Sequence, residues 1–168
     1  MKTSKFFLVV FLFSSMVIYS QENIIKGGFV ASGGINIGIQ YERSISNTIS
    51  ILGQIGFAEI SDVFYNESSS GFGLYVEGRY YFTKNKDLLE GWHAGTYVTY
   101  LNTNYDDGWF SYDQNNLGIG AVGGYQWIFS SHITLDTLVG GGYLSFDGDF
   151  EGDTGFYPLI GLNVGYSF

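Results

Sequence analysis

Hydrophobic and polar residues alternate along most of the chain, most regularly at its C-terminal end. From residue 156 to residue 168 every even-numbered position is apolar or aromatic, whereas the odd-numbered positions between them are mostly small or polar. Successive side chains of a β-strand point to opposite faces, so this period of two predicts a strand with one apolar face. No apolar spacing of three and four predicts a long helix beyond residue 20. We predict eight strands, at residues 23–32, 34–43, 49–60, 70–82, 91–103, 115–129, 133–146 and 155–168.

The polar faces of these strands carry little charge. They consist mainly of glycine, serine, tyrosine and glutamine, and only 14% of all residues are charged, against about 25% in soluble domains. A soluble lipocalin-like barrel, which is the alternative, would turn its apolar face inward and show charge to water. The low charge favours the inverted arrangement, an all-β, eight-stranded antiparallel up-and-down transmembrane β-barrel. Its sheet must close because an unpaired strand edge has no hydrogen-bond partner in hydrocarbon. One ring of aromatic residues is predicted at a membrane boundary, formed by Tyr41, Tyr80, Phe82, Trp92, Trp127, Phe129, Tyr166 and Phe168.

The first 20 residues are typical of a secretory signal peptide. Lys2 and Lys5 precede an apolar stretch of about 14 residues, shorter than the roughly 20 that a membrane-spanning helix needs. Ser20 is a small residue suited to cleavage before Gln21. We therefore expect residues 1–20 to be a signal peptide and residues 21–168 to form the barrel, with an uncleaved anchor as the alternative.

Charge and composition exclude several classes of function. Removal of residues 1–20 takes away two lysines and no acid, which moves the formal net charge from −9 to −11. Nucleic-acid binding requires a basic surface, so we expect no nucleic-acid partner. The chain contains no cysteine, which excludes disulfides, thiol nucleophiles and thiolate metal sites.

The connections between the predicted strands alternate in length. Those at 44–48, 83–90 and 130–132 are comparatively short, whereas those at 61–69, 104–114 and 147–154 are longer. In outer-membrane barrels the short turns face the periplasm and the longer loops face outside, which predicts a place in the cell outer membrane with both termini periplasmic. The longer connections and their flanks contain no lysine or arginine, so divalent cations could bridge their acids to lipid headgroups, and simple hydration of the loop tips is the alternative. These acids are Glu59, Asp62, Glu67, Asp106, Asp107, Asp113, Asp147, Asp149, Glu151 and Asp153.

The last of these connections imitates part of a calcium site. Acids at 147, 149, 151 and 153, with Gly152 between the last two, match the first half of a calcium-binding loop. The twelfth position would be Pro158 instead of a bidentate glutamate, so we expect an ordinary acidic hairpin loop and predict no metal site.

The inward faces of the predicted barrel carry a set of polar and charged residues. An eight-stranded barrel is just wide enough for side chains to fill, and a charge there is costly unless it is paired. Arg79 can pair with Glu77 on its own strand or with Glu42 across strands. Three carboxylates facing one guanidinium predict an excess of acid in a network that stiffens the barrel, with a proton or ligand site as the alternative. The predicted lumen residues are Gln40, Glu42, Gln54, Glu77, Arg79, Gln126 and Asp136.

The chain resembles the small eight-stranded outer-membrane barrels of Gram-negative bacteria, of the OmpA and OmpX type, and uncharacterised barrel families with a strand end such as Tyr41-Glu42-Arg43. The final stretch from Gly161 to Phe168 resembles the C-terminal signal that the barrel assembly machinery recognises. The resemblance covers residues 21–168 and implies a monomer whose partners are outer-membrane lipid and that machinery. The resemblance supports a place in the outer membrane but does not identify a partner of the outer loops.

An enzymatic alternative comes from the same architecture, because lipid A deacylases and acyltransferases share it. A deacylase needs a His-x-Ser pair with an acid on its outward face, so that the imidazole can activate the hydroxyl. The nearest match, His132-Ile133-Thr134, has threonine in place of serine and lies beside a periplasmic turn, and His93 also lies near that side. We therefore predict a structural or surface-interaction protein with no catalytic residue, no cofactor and no conductive pore.

Overall fold

Eight antiparallel strands close into a single barrel. The computed structural model describes residues 23–62, 67–83, 88–106, 111–130, 132–147 and 154–168. Each strand pairs with the next in the chain, and the last pairs with the first. No helix in these ranges is both long and apolar enough to cross a membrane. The strands are β1 (Asn23–Ala31), β2 (Ile35–Ser44), β3 (Ile49–Asp62), β4 (Glu67–Tyr81), β5 (Gly91–Asp106), β6 (Ser111–Ile128), β7 (Ile133–Asp147) and β8 (Thr154–Ser167).

All eight predicted strands are confirmed, including the first, and the largest differences lie at one end of the barrel. β4 begins three residues before its predicted start, β5 ends three residues after its predicted end and β6 begins four residues early. Backbone pairing continues there beyond the alternating apolar positions, for example between Asn104 and Asp113. The extension could not be predicted because residues that are polar on both faces leave no period-two pattern.

The two ends of the barrel differ in construction. We call the end that holds residues 23 and 168 the near end and the opposite end the far end. Asn23 and Phe168 exchange both backbone hydrogen bonds at the near end, at 2.8 and 2.9 Å. At the far end β1 and β2 are joined by residues 32–34 alone, where Gly33 adopts a φ of 65° that glycine accepts without strain.

The outside of the barrel is apolar, whereas most of the buried residues are polar or charged. Ile39 and Val139 are 65% and 66% exposed, whereas Arg79 is 1% exposed. The isoleucine and leucine of the closing strand, Ile160 and Leu162, also face outward. A soluble barrel has the opposite arrangement, so the lipocalin-like alternative is wrong and the fold is that of a transmembrane β-barrel. All eight members of the predicted aromatic ring are exposed, and all lie at the near end.

Apolar side chains cross the lumen at two levels. The near apolar cluster consists of Ile24, Tyr81 and Leu89, with Ile128 packed against it. At the second level, Tyr75 and Tyr97 stack with their ring centroids 5.4 Å apart. Tyr97 fits because Gly120 and Gly142 face it, and a Cβ at either glycine would lie within 2.7 Å of its side chain. The middle apolar cluster consists of Val30, Leu52, Tyr75, Tyr97, Val122, Leu138 and Leu159.

Candidate functional site

The charged residues of the lumen lie between these two apolar clusters. Along β1 the inward positions run from Ile24 through Lys26 to Val30, and along β4 they run from Tyr81 through Arg79 to Tyr75. The first and last residue of each series belong to the near and middle apolar clusters, respectively. The charged layer is therefore enclosed by apolar side chains towards both ends.

All seven predicted lumen residues are buried. Arg79 forms the centre of the charged layer, and both of its predicted partners are confirmed. Its Nε lies 2.8 Å and its Nη2 3.0 Å from the two carboxylate oxygens of Glu77, a bidentate pair. Its Nη1 lies 3.2 Å from Glu42 Oε2 and 2.9 Å from Asp136 Oδ2. One guanidinium thus joins three carboxylates from β2, β4 and β7.

Lys26 is a second buried cation, which the sequence analysis missed. Its Nζ lies 2.6 Å from Glu42 Oε2 and 2.9 Å from Asp136 Oδ2, and it also donates to Gln126 Oε1. The predicted ratio of three carboxylates to one cation is therefore corrected to three carboxylates facing two fixed cations, so a smaller excess of acid remains. The signal was present in the sequence: Lys26 has the inward parity of Ile24, and the outward parity would place its ammonium on the lipid-facing surface, which is unfavourable.

His93 lies close to two of the three carboxylates. Its Nε2 lies 3.2 Å from Asp136 Oδ1 and its Nδ1 lies 3.9 Å from Glu77 Oε1. Its ring packs against Tyr81 with centroids 5.2 Å apart. Both neighbours of the imidazole nitrogens are carboxylates, whereas activation of a nucleophile would require a hydroxyl there. We call the group Lys26, Glu42, Glu77, Arg79, His93 and Asp136 the ion cluster.

Carboxamides form a neutral layer next to the ion cluster. Gln40 Nε2 donates to Gln54 Oε1 at 2.6 Å and to Asn163 Oδ1 at 2.8 Å, and Gln54 Nε2 donates to the Asn36 carbonyl at 2.8 Å. Hydroxyls satisfy the remaining oxygen of Glu42, since Ser50 and Tyr81 donate to Oε1 at 2.6 and 2.7 Å. These bonds connect side chains from β2, β3 and β8, which stiffens the wall.

The other predicted candidates lie away from this layer. His132 lies in the exposed turn between β6 and β7 with a φ of 65°, and its ring packs against Tyr166 at 5.7 Å. Thr134, two residues later, is buried in the lumen. Most of the calcium-like loop, residues 148–153, lies outside the described residues, and so does the predicted signal peptide. Within the described ranges no group of three His, Asp or Glu side chains could hold a metal ion.

The fold and its ion-paired lumen define a transmembrane β-barrel filled by its own side chains. The chain belongs to the family described as "Protein of unknown function (DUF3575)", which matches residues 6–152. Its sequence has no match among curated proteins. Among solved structures it is similar to the crystal structure of the N-terminal beta-barrel domain of Pseudomonas aeruginosa OprF, with a TM-score of 0.51 and 14% identity over 88% of this chain and 97% of that one. At this identity the likeness concerns the fold.

Proposed function

We propose that the protein is a monomeric barrel of the bacterial outer membrane with a structural or surface-interaction role. The observation that carries the proposal is the inverted barrel, in which isoleucines such as Ile39 and Ile160 face out and Arg79 faces in. An apolar exterior of this kind is favourable in contact with lipid tails. The aromatic ring at the near end matches a membrane boundary. In this orientation the near end faces the periplasm.

Three hairpins at the far end would then project from the cell surface. The strands β5 and β6 of the longest hairpin are joined outside the wall by polar side chains. Asn104 Nδ2 donates to Asp113 Oδ1 at 2.7 Å, and Asn102 Nδ2 and Tyr100 OH donate to Asn115 Oδ1 at 2.8 and 2.7 Å. These bonds join β5 and β6 on their outer face in the described part of the hairpin. A hairpin whose strands are joined by polar side chains supports a role in surface interaction.

The filled lumen supports a barrel that conducts no ions. Apolar clusters lie on both sides of the ion cluster, and the charges between them are paired. We expect the purified barrel to give no steady single-channel currents in planar bilayers. Steady currents would overturn this part of the proposal.

Location and fold are tested together in cells. The protein should fractionate with the outer membrane and should run with a different gel mobility before and after boiling, because closed barrels resist detergent when cold. Protease added to intact cells should cleave only the far-end hairpins. Recovery in the soluble fraction without detergent would overturn the proposal.

We also propose that the protein does not modify lipid. The support is the position of both histidines: His93 contacts carboxylates inside the lumen and His132 lies in a near-end turn, away from the outer leaflet. Mass spectra of lipid A from cells with and without the protein should be identical. Loss or gain of an acyl chain would identify an enzyme instead.

Assembly in the membrane would use the C-terminal strand. Phe168 exposes 58% of its surface on the outside of the barrel while its backbone closes the seam to Asn23. We propose that the barrel assembly machinery reads this side chain. Phe168→Ser should slow membrane assembly in cells and leave refolding in detergent unchanged; equal rates in cells would contradict the proposal.

A further inference from the structure

Leu89 closes the near end of the lumen in an unusual backbone conformation. It follows β4 in the chain, two residues before β5, yet it is 3% exposed and packs against Ile24 and Tyr81. Its φ is 65°, in the left-handed region that is costly for a leucine. Such a conformation persists only where surrounding contacts impose it, and it is concentrated at switch regions. The buried side chain is the contact that imposes it here.

Two side chains connect Leu89 to the ion cluster. Gln126 Nε2 donates to the Leu89 carbonyl at 2.6 Å, while its Oε1 accepts from Lys26. Tyr81 packs against Leu89 and donates to Glu42 at 2.7 Å. Release of Leu89 would therefore free Gln126 Nε2 and remove an apolar contact from Tyr81.

Release of Leu89 has free-energy contributions of opposite sign. Withdrawal of Leu89 loses the burial of one leucine side chain and one amide hydrogen bond. It relieves the strained φ and admits water to six ionisable groups, and hydration of charged groups is favourable. On the other side of these groups the middle apolar cluster still blocks the lumen.

We propose that Leu89 is a displaceable stopper, and that its withdrawal opens a dead-end polar pocket to the near end of the barrel without creating a pore. The pocket is lined by the ion cluster and takes water and small ions. This is a property of the fold in detergent or lipid, so it does not depend on where the barrel resides in the cell.

The absence of cysteine from the chain allows a direct accessibility test. Ser50→Cys places a thiol beside Glu42 in the charged layer, and Asn116→Cys places one beyond the middle apolar cluster on β6. Each is labelled in the refolded barrel with a charged, water-soluble maleimide, and the rate is followed by mass. Leu89→Gly removes the stopper and at the same time suits the positive φ, so a change reports the side chain and not backbone damage.

Leu89→Gly should raise the labelling rate at position 50 by about tenfold or more, since loss of one buried leucine shifts an open–closed equilibrium by at least that factor. The rate at position 116 should stay unchanged. Leu101→Ala, at an equally buried leucine in the far half, is the matched control and should leave the labelling rate at position 50 unchanged. Leu89→Asn, which also tolerates a positive φ, should repeat the effect.

Three results would overturn the stopper. One is an unchanged rate at position 50 in both Leu89 variants. Another is an equal rise at positions 50 and 116, which would mean general loosening of the barrel. The third is a steady conductance of Leu89→Gly, because the opened lumen would then be a pore. If the parent barrel itself conducts, the proposed closed lumen fails and the labelling comparison still decides whether Leu89 controls access.

Discussion

Replacement of Arg79 by methionine tests whether the ion cluster holds the barrel together. Arg79 donates four hydrogen bonds to three carboxylates and is almost fully buried. Arg79→Met keeps a long apolar stem and leaves three carboxylates with Lys26 as the one fixed cation. Removal of one partner from a buried ion pair costs about 3–5 kcal/mol, because the remaining charge stays buried and unpaired. We expect the free energy of unfolding to fall by that amount.

The assay is denaturant-driven unfolding of the barrel in lipid vesicles, followed by tryptophan fluorescence and by gel mobility without boiling. Arg43→Met is the matched control, because this arginine is half-buried near the end of β2 and lies outside the ion cluster. It should cost less than about 1 kcal/mol, because it removes no member of the ion cluster.

A second substitution separates unpaired charge from lost packing. Glu77 makes two of the four bonds to Arg79, so Glu77→Gln in the Arg79→Met background removes much of the orphaned charge. This double variant should recover about 1–3 kcal/mol relative to Arg79→Met. The reasoning is refuted if Arg79→Met costs no more than Arg43→Met, or if Glu77→Gln lowers stability further in that background.

Further experiments test the two faces of the barrel wall and the predicted signal peptide. A Cβ at Gly124 would lie 2.2 Å from the Thr137 carbonyl and 2.9 Å from the His93 ring, so Gly124→Ala should lower the unfolding free energy by about 1–3 kcal/mol. Gly123→Ala, where the nearest atom is 3.6 Å away, should change it by less than about 0.5 kcal/mol in the same denaturant series, and equal effects would contradict the assigned faces. Ile39→Lys on the lipid face should cost about 2–4 kcal/mol in vesicles, and a neutral result would argue against a membrane exterior. N-terminal sequencing of the exported protein should begin at Gln21, and a retained Met1 would show an uncleaved anchor.

Most of the barrel could be predicted because strand alternation is a local property. Adjacent side chains point to opposite faces, so the apolar parity of Ile160, Leu162 and Val164 already determined which face meets lipid, and the same rule placed Gln40 and Gln126 in the lumen. The prediction was weakest where the pattern was interrupted. In β1 the pair Gly27 and Gly28 obscures the alternation, and for that reason the inward position of Lys26 was overlooked.

The sequence by itself determined the strands, their faces and the set of polar residues that would share the lumen. Only the tertiary structure decided which of them meet, because closure brings together residues far apart in the chain: Lys26 and Asp136 are 110 positions apart and their side chains lie 2.9 Å from each other. The same holds for Leu89, whose burial depends on the path of a turn and on a positive φ that no periodic pattern records. Faces follow from neighbouring residues, whereas contacts across the lumen follow from the register of eight strands at once.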